Sequence, residues 1–137
     1  MWVDARTLHE FYTSPLGKNV SHLISDQLQK IWHNLSGKRV LGIGYALPYL
    51  EDFKGKAERR IALFPGNLGA IHWHAEGNKN RSALTEEAHF PLTDNSIDCI
   101  LIVHALEYTH IPPVEFLKNI WRILTGSGKL IIVVPNR

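Results

Sequence analysis

The sequence predicts an open, doubly wound α/β sheet, and three observations carry it. Short, almost wholly apolar runs, "RVLGI", "RIALF", "IDCILIV" and "KLIIVV", lack the polar alternation of a half-exposed strand. Between them lie segments whose apolar residues recur three and four apart, which is helical spacing. The first run, Arg39 to Ile43, ends in a glycine turn at Gly44. Buried strands alternating with helices call for parallel pairing through right-handed crossovers.

Taken in order, Asp4 to Tyr12 is expected to be a short helix with Leu8, Phe11 and Tyr12 on one face. In "TSPLGK", Ser14 can cap a new helix and Pro15 suits its first position. Val20, Leu23, Ile24, Leu28, Ile31, Trp32 and Leu35 form the apolar stripe of that long helix, and Gly37 fits its end. After the first strand and Gly44, Leu47 to Phe53 is expected to form a short helix. A second strand spans Arg60 to Phe64 and stops at "PGN". Leu68 to Trp73 is expected to be a further short helix, and Arg81 to Leu84 a weakly signalled third strand. "PLTDNS" is turn chemistry, and Ile97 to Val103 gives the strongest strand. Pro112 and Pro113 open a helix running through Leu124, with Phe116, Leu117, Ile120, Ile123 and Leu124 inward. Gly126 and Gly128 end it before the fifth strand, Lys129 to Val134.

The 137 residues suit one domain with a sizeable core: N-terminal helices over 1–37 and a core over 38–137. A net charge of +2 with no Lys/Arg run gives no clear nucleic-acid signal. The lone cysteine, Cys99, excludes an internal disulfide and a cysteine-based zinc site, and its apolar neighbours suggest a buried, inert thiol. The N-terminus is no signal peptide, and no apolar run nears the ~20 residues that cross a bilayer. A cytoplasmic protein without membrane contact is expected. Among eight histidines, His72 and His74 in "IHWHAE", or His104 with His110, invite a metal reading. An H-x-H pair supplies only two of three or four ligands and nothing completes the set, so no metal is expected.

Ligands of such sheets bind beyond the carboxyl ends of the strands. The loop there, "RVLGIGYALPYL", has Gly42 and Gly44, but Leu47 holds the third place of a dinucleotide fingerprint, and no Walker lysine follows. A glycine pair after a strand is weak evidence alone, since tight turns also need glycine.

Further on, the run from Phe90 to Asn136 carries "FPLTDNSID", "VHALEYTH", "WRILTGSG" and "VVPN" in order. This stretch closely resembles the second half of the core of class I S-adenosylmethionine-dependent methyltransferases of the type 11-like kind. "RVLGIGYALPYL" then falls where that family's cofactor loop belongs. The resemblance extends from about Arg39 to the end and implies a Rossmann-like parallel sheet ordered 3-2-1-4-5. It implies S-adenosylmethionine as cofactor and methyl transfer to an unidentified acceptor as activity.

The family's site carries over residue by residue. Gly42, Gly44 and Tyr45 match the loop whose backbone passes the cofactor's methionine part. Two departures lie there: Gly42 replaces the usual acid, and Ala46 the second loop glycine. Phe64 stands where an acid usually takes both ribose hydroxyls; losing that acceptor costs ~1.5–3 kcal/mol, about tenfold to a hundredfold in affinity. Phe64 either packs on the adenine or completes the core. Glu86 matches the acceptor for the adenine amino group, with Glu87 beside it; the plain alternative is two solvated carboxylates. His104, at the end of the fourth strand, matches a contact to cofactor and acceptor. It is the candidate general base, or else a satisfied structural histidine. Glu107, Tyr108 and His110 lie close by in sequence.

The family's sheet normally closes with two further strands in an antiparallel hairpin, which this sequence lacks. A C-terminally truncated chain is therefore expected: a fragment, a decayed gene product, or half of a split enzyme. Lys129 to Val134 would be a bare edge, open to self-association or a partner chain. The alternative to methyl transfer is a catalytically inactive binding or assembly module on the same fold.

Overall fold

A computed structural model of the chain describes residues 4–73 and 80–135. Its five strands are β1 (Arg39–Gly44), β2 (Arg59–Pro65), β3 (Ser82–Thr85), β4 (Ile97–Val103) and β5 (Leu124–Val133). They form one parallel sheet in the order β3-β2-β1-β4-β5, as expected. The helices are α1 (Ala5–Thr13), α2 (Pro15–Ile31), α3 (Leu47–Glu51) and α4 (Pro113–Ile123), with a 3-10 turn at Leu106–Tyr108.

Alternate residues of the central strands enter two cores. On one face Val40, Ala62, Phe64, Cys99, Leu101 and Val103 pack with α1, α2 and α3. On the other, Leu41, Ile43, Leu63, Ile100 and Ile102 pack with Phe90 and with Phe116, Ile120 and Ile123 of α4. This double burial is why the strands read as unbroken apolar runs. At the opposite end from the candidate site, Asp98 accepts from the Arg39 backbone N–H at 2.8 Å and from its Nε at 3.0 Å. Those hydrogen bonds hold the Asp98 carboxyl below its ordinary range and tie the starts of β1 and β4 together.

Several boundaries differ from expectation for identifiable reasons. Ser14 and Pro15 do open α2, but it ends at Ile31 and Trp32 caps it, not Gly37. Trp32 and Leu35 are still buried, whereas Leu23, Ile31 and, on α1, Phe11 are exposed. The stripe is wider than the face α2 packs, which centres on Gly17, Ser25 and Leu28. Leu68 to Trp73 is not a helix: Gly69 has φ +80°, which no right-handed helix continues through. β3 starts and ends one residue later than expected. α4 stops at Ile123, and β5 starts at Leu124, through a register shift opposite Ile97 and Cys99. Gly128 sits in that bulge, where a Cβ would meet Leu124 at 2.5 Å.

β5 is the edge of the sheet, and Leu130, Ile132 and Val134 are exposed along it. Among the described residues no helix is long and apolar enough to cross a membrane.

Candidate functional site

The carboxyl ends of the strands bring the candidate residues to one side of the molecule. β1 ends on Gly44, at φ +83°, and the chain then turns so that the Tyr45 N–H donates to the Val103 carbonyl at 2.8 Å. A Cβ on Gly44 would stand 2.1 Å from that same oxygen. The approach of β4 is by itself enough to require glycine here. Gly42 is likewise structural, because a Cβ there would meet Ala46 and the Leu50 side chain at 2.7 Å.

Above this turn lies a buried aromatic cluster. Tyr45, Tyr49 and Tyr12, the last from α1, are all nearly inaccessible. The Tyr12 ring stacks on Tyr45, centroids 5.4 Å apart and planes 18° apart, and meets the edge of Tyr49 at 6.1 Å. The Tyr49 hydroxyl donates to the Tyr12 hydroxyl at 3.1 Å, and the Tyr12 hydroxyl lies 2.9 Å from His104 Nε2. His104 Nδ1 lies 3.2 Å from Glu107 Oε1. A carboxylate only accepts, so Nδ1 carries a proton, and in the neutral ring Nε2 then offers its lone pair to Tyr12. With that ring neutral the hydrogen bonds run in one direction, Tyr49 to Tyr12 to His104 to Glu107. Burial raises all three tyrosine pKa values, that of Tyr45 to about 12. The Tyr45 hydroxyl pairs with His9 Nδ1 at 2.9 Å.

His104 itself sits at φ +52°, a region that non-glycine residues seldom adopt. Its N–H bonds to the Val133 carbonyl at 3.2 Å, so β5 helps to hold it there.

The remaining candidates lie apart from this cluster. Phe64 has 0% exposure and belongs to the core, and both it and Pro65 carry hydrocarbon side chains, so neither offers a side-chain acceptor at the end of β2. Glu86 is exposed on an open cleft of about 320 Å³ beyond β2 and β3, alongside Gly66, Asn67, Thr85, Glu87 and His110. The Glu87 carboxylate is not free: it accepts from the His110 N–H at 2.9 Å and from the Thr109 hydroxyl, fastening the exit of β3 to the loop after β4. Asn67 donates to the Tyr108 carbonyl at 2.8 Å, while its own Oδ1 is buried with no partner among the described residues.

Sequence reasoning placed His104 and noted Glu107, but missed Tyr12, Tyr49, His9 and Asn67. Tyr45 lies in the turn before α3 and Tyr49 within it, so no helical periodicity linked the two. The contact from Tyr12 crosses 92 residues and had no local signal either. Of the metal candidates, His74 lies outside the described residues, and the described ones hold no cluster of three possible ligands.

These residues fit S-adenosylmethionine in part. The cleft beside Glu86 offers a mostly apolar wall with an exposed carboxylate at its rim as a place for an adenosine group. The place above Gly44, where a methionine part would lie, is filled in this conformation by Tyr12 and Tyr45.

Comparison with known proteins agrees with this architecture. The family model described as a methyltransferase domain matches residues 27–132. A 59-residue segment is 39% identical to an uncharacterized protein of Methanocaldococcus jannaschii, covering 43% of this chain and 25% of that one. The fold matches a SAM-dependent methyltransferase from Aquifex aeolicus with TM-score 0.62 and 18% identity, over 94% of this chain and 71% of that one. It also matches the [4+2]-cyclase SpnF with TM-score 0.64 and 17% identity, over 88% of this chain and 46% of that one. The chain thus spans a quarter of the curated relative and about half of the cyclase. At such identities the structures show a shared fold, and one fold hosts more than one chemistry. With most of its length matched by the family model, the chain belongs to the methyltransferase-domain family and has the Rossmann-like fold of S-adenosylmethionine-dependent methyltransferases.

Proposed function

We propose that the chain serves methyl transfer from S-adenosylmethionine to an acceptor whose reacting heteroatom carries a proton. The observation that supports this best is the directed chain ending in His104 and Glu107 at the end of β4. When bound, the cofactor supplies an electrophilic methyl group on a sulfonium, a good leaving group that needs little help beyond positioning. What the protein adds is a base. Glu107 fixes the tautomer, so that Nε2 of His104 takes the acceptor's proton, and Glu107 then stabilises the imidazolium. Glu86 and Asn67 bind the adenosine end, and Phe64 makes that binding weaker than a ribose carboxylate would. Gly44 and Tyr45 shape the floor of the methionine end; Gly42 and Glu87 act indirectly, through packing and through the loop that carries His110. A further segment or chain along the β5 edge, from Lys129 to Val134, completes the site.

Amide NMR shifts on titration with S-adenosylhomocysteine test this. The expected result is saturable movement at Gly66, Asn67, Glu86 and His104. A folded chain with no shift at millimolar ligand overturns the proposal.

A further inference from the structure

β5 leaves one side of its backbone without a neighbouring strand, and the hydrogen bonds show which residues face it. The Val133 carbonyl accepts from the His104 N–H just past β4, so Val133 and, two residues back, Ile131 turn their backbone groups inward. Leu130, Ile132 and Val134 therefore point their N–H and C=O groups out from the edge of the sheet. Their side chains are exposed as well. Leu130 and Ile132 pair with Ile100 and Ile102, which puts this row on the α4 face. Resting on the reading above that another chain completes this edge, we propose that it is a second copy: β5 pairs antiparallel with β5 of the partner subunit about a two-fold axis beside Ile132.

First, the edge is complementary to itself. In an antiparallel ladder, opposed residues whose backbones point at each other exchange both hydrogen bonds. Centring the axis on Ile132 sets it against Ile132 of the partner subunit, and Leu130 against Val134 of the partner subunit. Every outward group of the row is then paired, and no other centre achieves this. Opposed residues also share a face, so the two rows merge into one apolar strip between the two α4 helices.

Second, no charge opposes the pairing. Leu130 to Pro135 is uncharged, and Lys129 faces Pro135 of the partner subunit, far from its own copy. Edges that stay single are guarded within the strand by a charge, a proline or a bulge. Here the bulge at Gly128 and Pro135 bracket the row without entering it.

Third, the area suffices. Asn119 and Arg122 of α4 donate to the carbonyls of Ala88 and Phe90 at 2.7 and 2.8 Å, on the side of the helix towards β1. Val114 and Trp121 lie seven apart on the opposite flank, and Trp121 borders a small cleft with Gly126 and Gly128 at the start of β5. Trp121 is 81% exposed. With the outward row, these side chains offer roughly 500 Å² of apolar surface per copy besides the backbone edge, against about 800 Å² per partner in a standard interface. The other edge, β3, is only four residues long, and joining it to β5 of a further copy would run on into filaments. The two-fold pairing closes, and by bracing Val134 it steadies the Val133 carbonyl that holds His104.

The experiment is the solution mass of the 137-residue chain, without cofactor, for wild type and Ile132→Lys, with cysteine crosslinking to read the register. Wild type is expected at twice the 15.6 kDa of one chain in the micromolar range, and Ile132→Lys at the single mass with an unchanged circular dichroism spectrum. On mild oxidation Ile132→Cys should crosslink to its own copy, since opposed α-carbons stand about 5.5 Å apart. Leu130→Cys alone should not, whereas Leu130→Cys/Val134→Cys should. A monomeric wild type, a dimer that survives Ile132→Lys, or equal crosslinking by Leu130→Cys and Ile132→Cys overturns the proposal. So does a mass that climbs past the dimer with concentration, because a two-fold contact closes on itself. A dimer that fails to bind S-adenosylhomocysteine would retain the interface and remove the transfer reading; a monomer that binds it would do the reverse.

Discussion

The α-carbon of Gly44 lies against the carbonyl of Val103, with room for a hydrogen and none for a methyl group. The turn that leaves β1 is thereby stitched to the end of β4, whose next residue is His104. Replacement by alanine must break that contact and also adopt a left-handed conformation. Gly44→Ala should cost at least ~2 kcal/mol of stability, seen as a lower denaturant midpoint. A variant as stable as wild type would show that the turn is looser than described.

Gly44 also shows what was legible in the sequence. The glycine after the first strand was correctly read as a tight turn, and the order of the strands followed from the family motifs around "VHALEYTH". What demands the glycine is a backbone carbonyl 59 residues away, a tertiary fact with no local signature. The same holds for α1: its pattern announced a helix, but not that Tyr12 would enter the site. Leu68 to Trp73 failed differently, because apolar spacing over six residues cannot outweigh a left-handed glycine at Gly69.

Phe64 raises a question that the sequence left open, between packing on an adenine and completing the core. Its full burial among core residues favours the second. Restoring an acid with Phe64→Asp should therefore not improve cofactor binding. It should destabilise the chain by roughly 3–5 kcal/mol, through lost packing and a buried unpaired charge. Tighter S-adenosylhomocysteine binding by a stable Phe64→Asp chain would place the side chain in the site instead.

The tyrosine cluster gives the protein an alkaline limit. Burial raises the pKa values of Tyr12, Tyr45 and Tyr49, Tyr45 to about 12, against an ordinary value of 10.0. Between those values the unfolded chain has lost protons that the folded chain keeps, so stability falls as pH rises. It is fully present below pH ~10 and lost progressively above. Ultraviolet difference absorbance should show these three phenols ionising together with unfolding. Ionisation near the ordinary value in a chain that stays folded would mean that the cluster is open to water.

The central claim is that the adenosine end of the site is open while Tyr12 fills the other end. A Cβ on Gly17 would lie 1.9 Å from the Phe11 carbonyl oxygen and 2.8 Å from the Tyr12 Cα, so calorimetric titration of wild type and Gly17→Ala with S-adenosylhomocysteine tests it most directly. The account predicts weak, saturable binding to wild type and binding about tenfold tighter once the corner between α1 and α2 cannot close. Weaker binding by Gly17→Ala would make α1 a wall of the cofactor site, not its occupant. No binding by either folded chain would contradict the account outright.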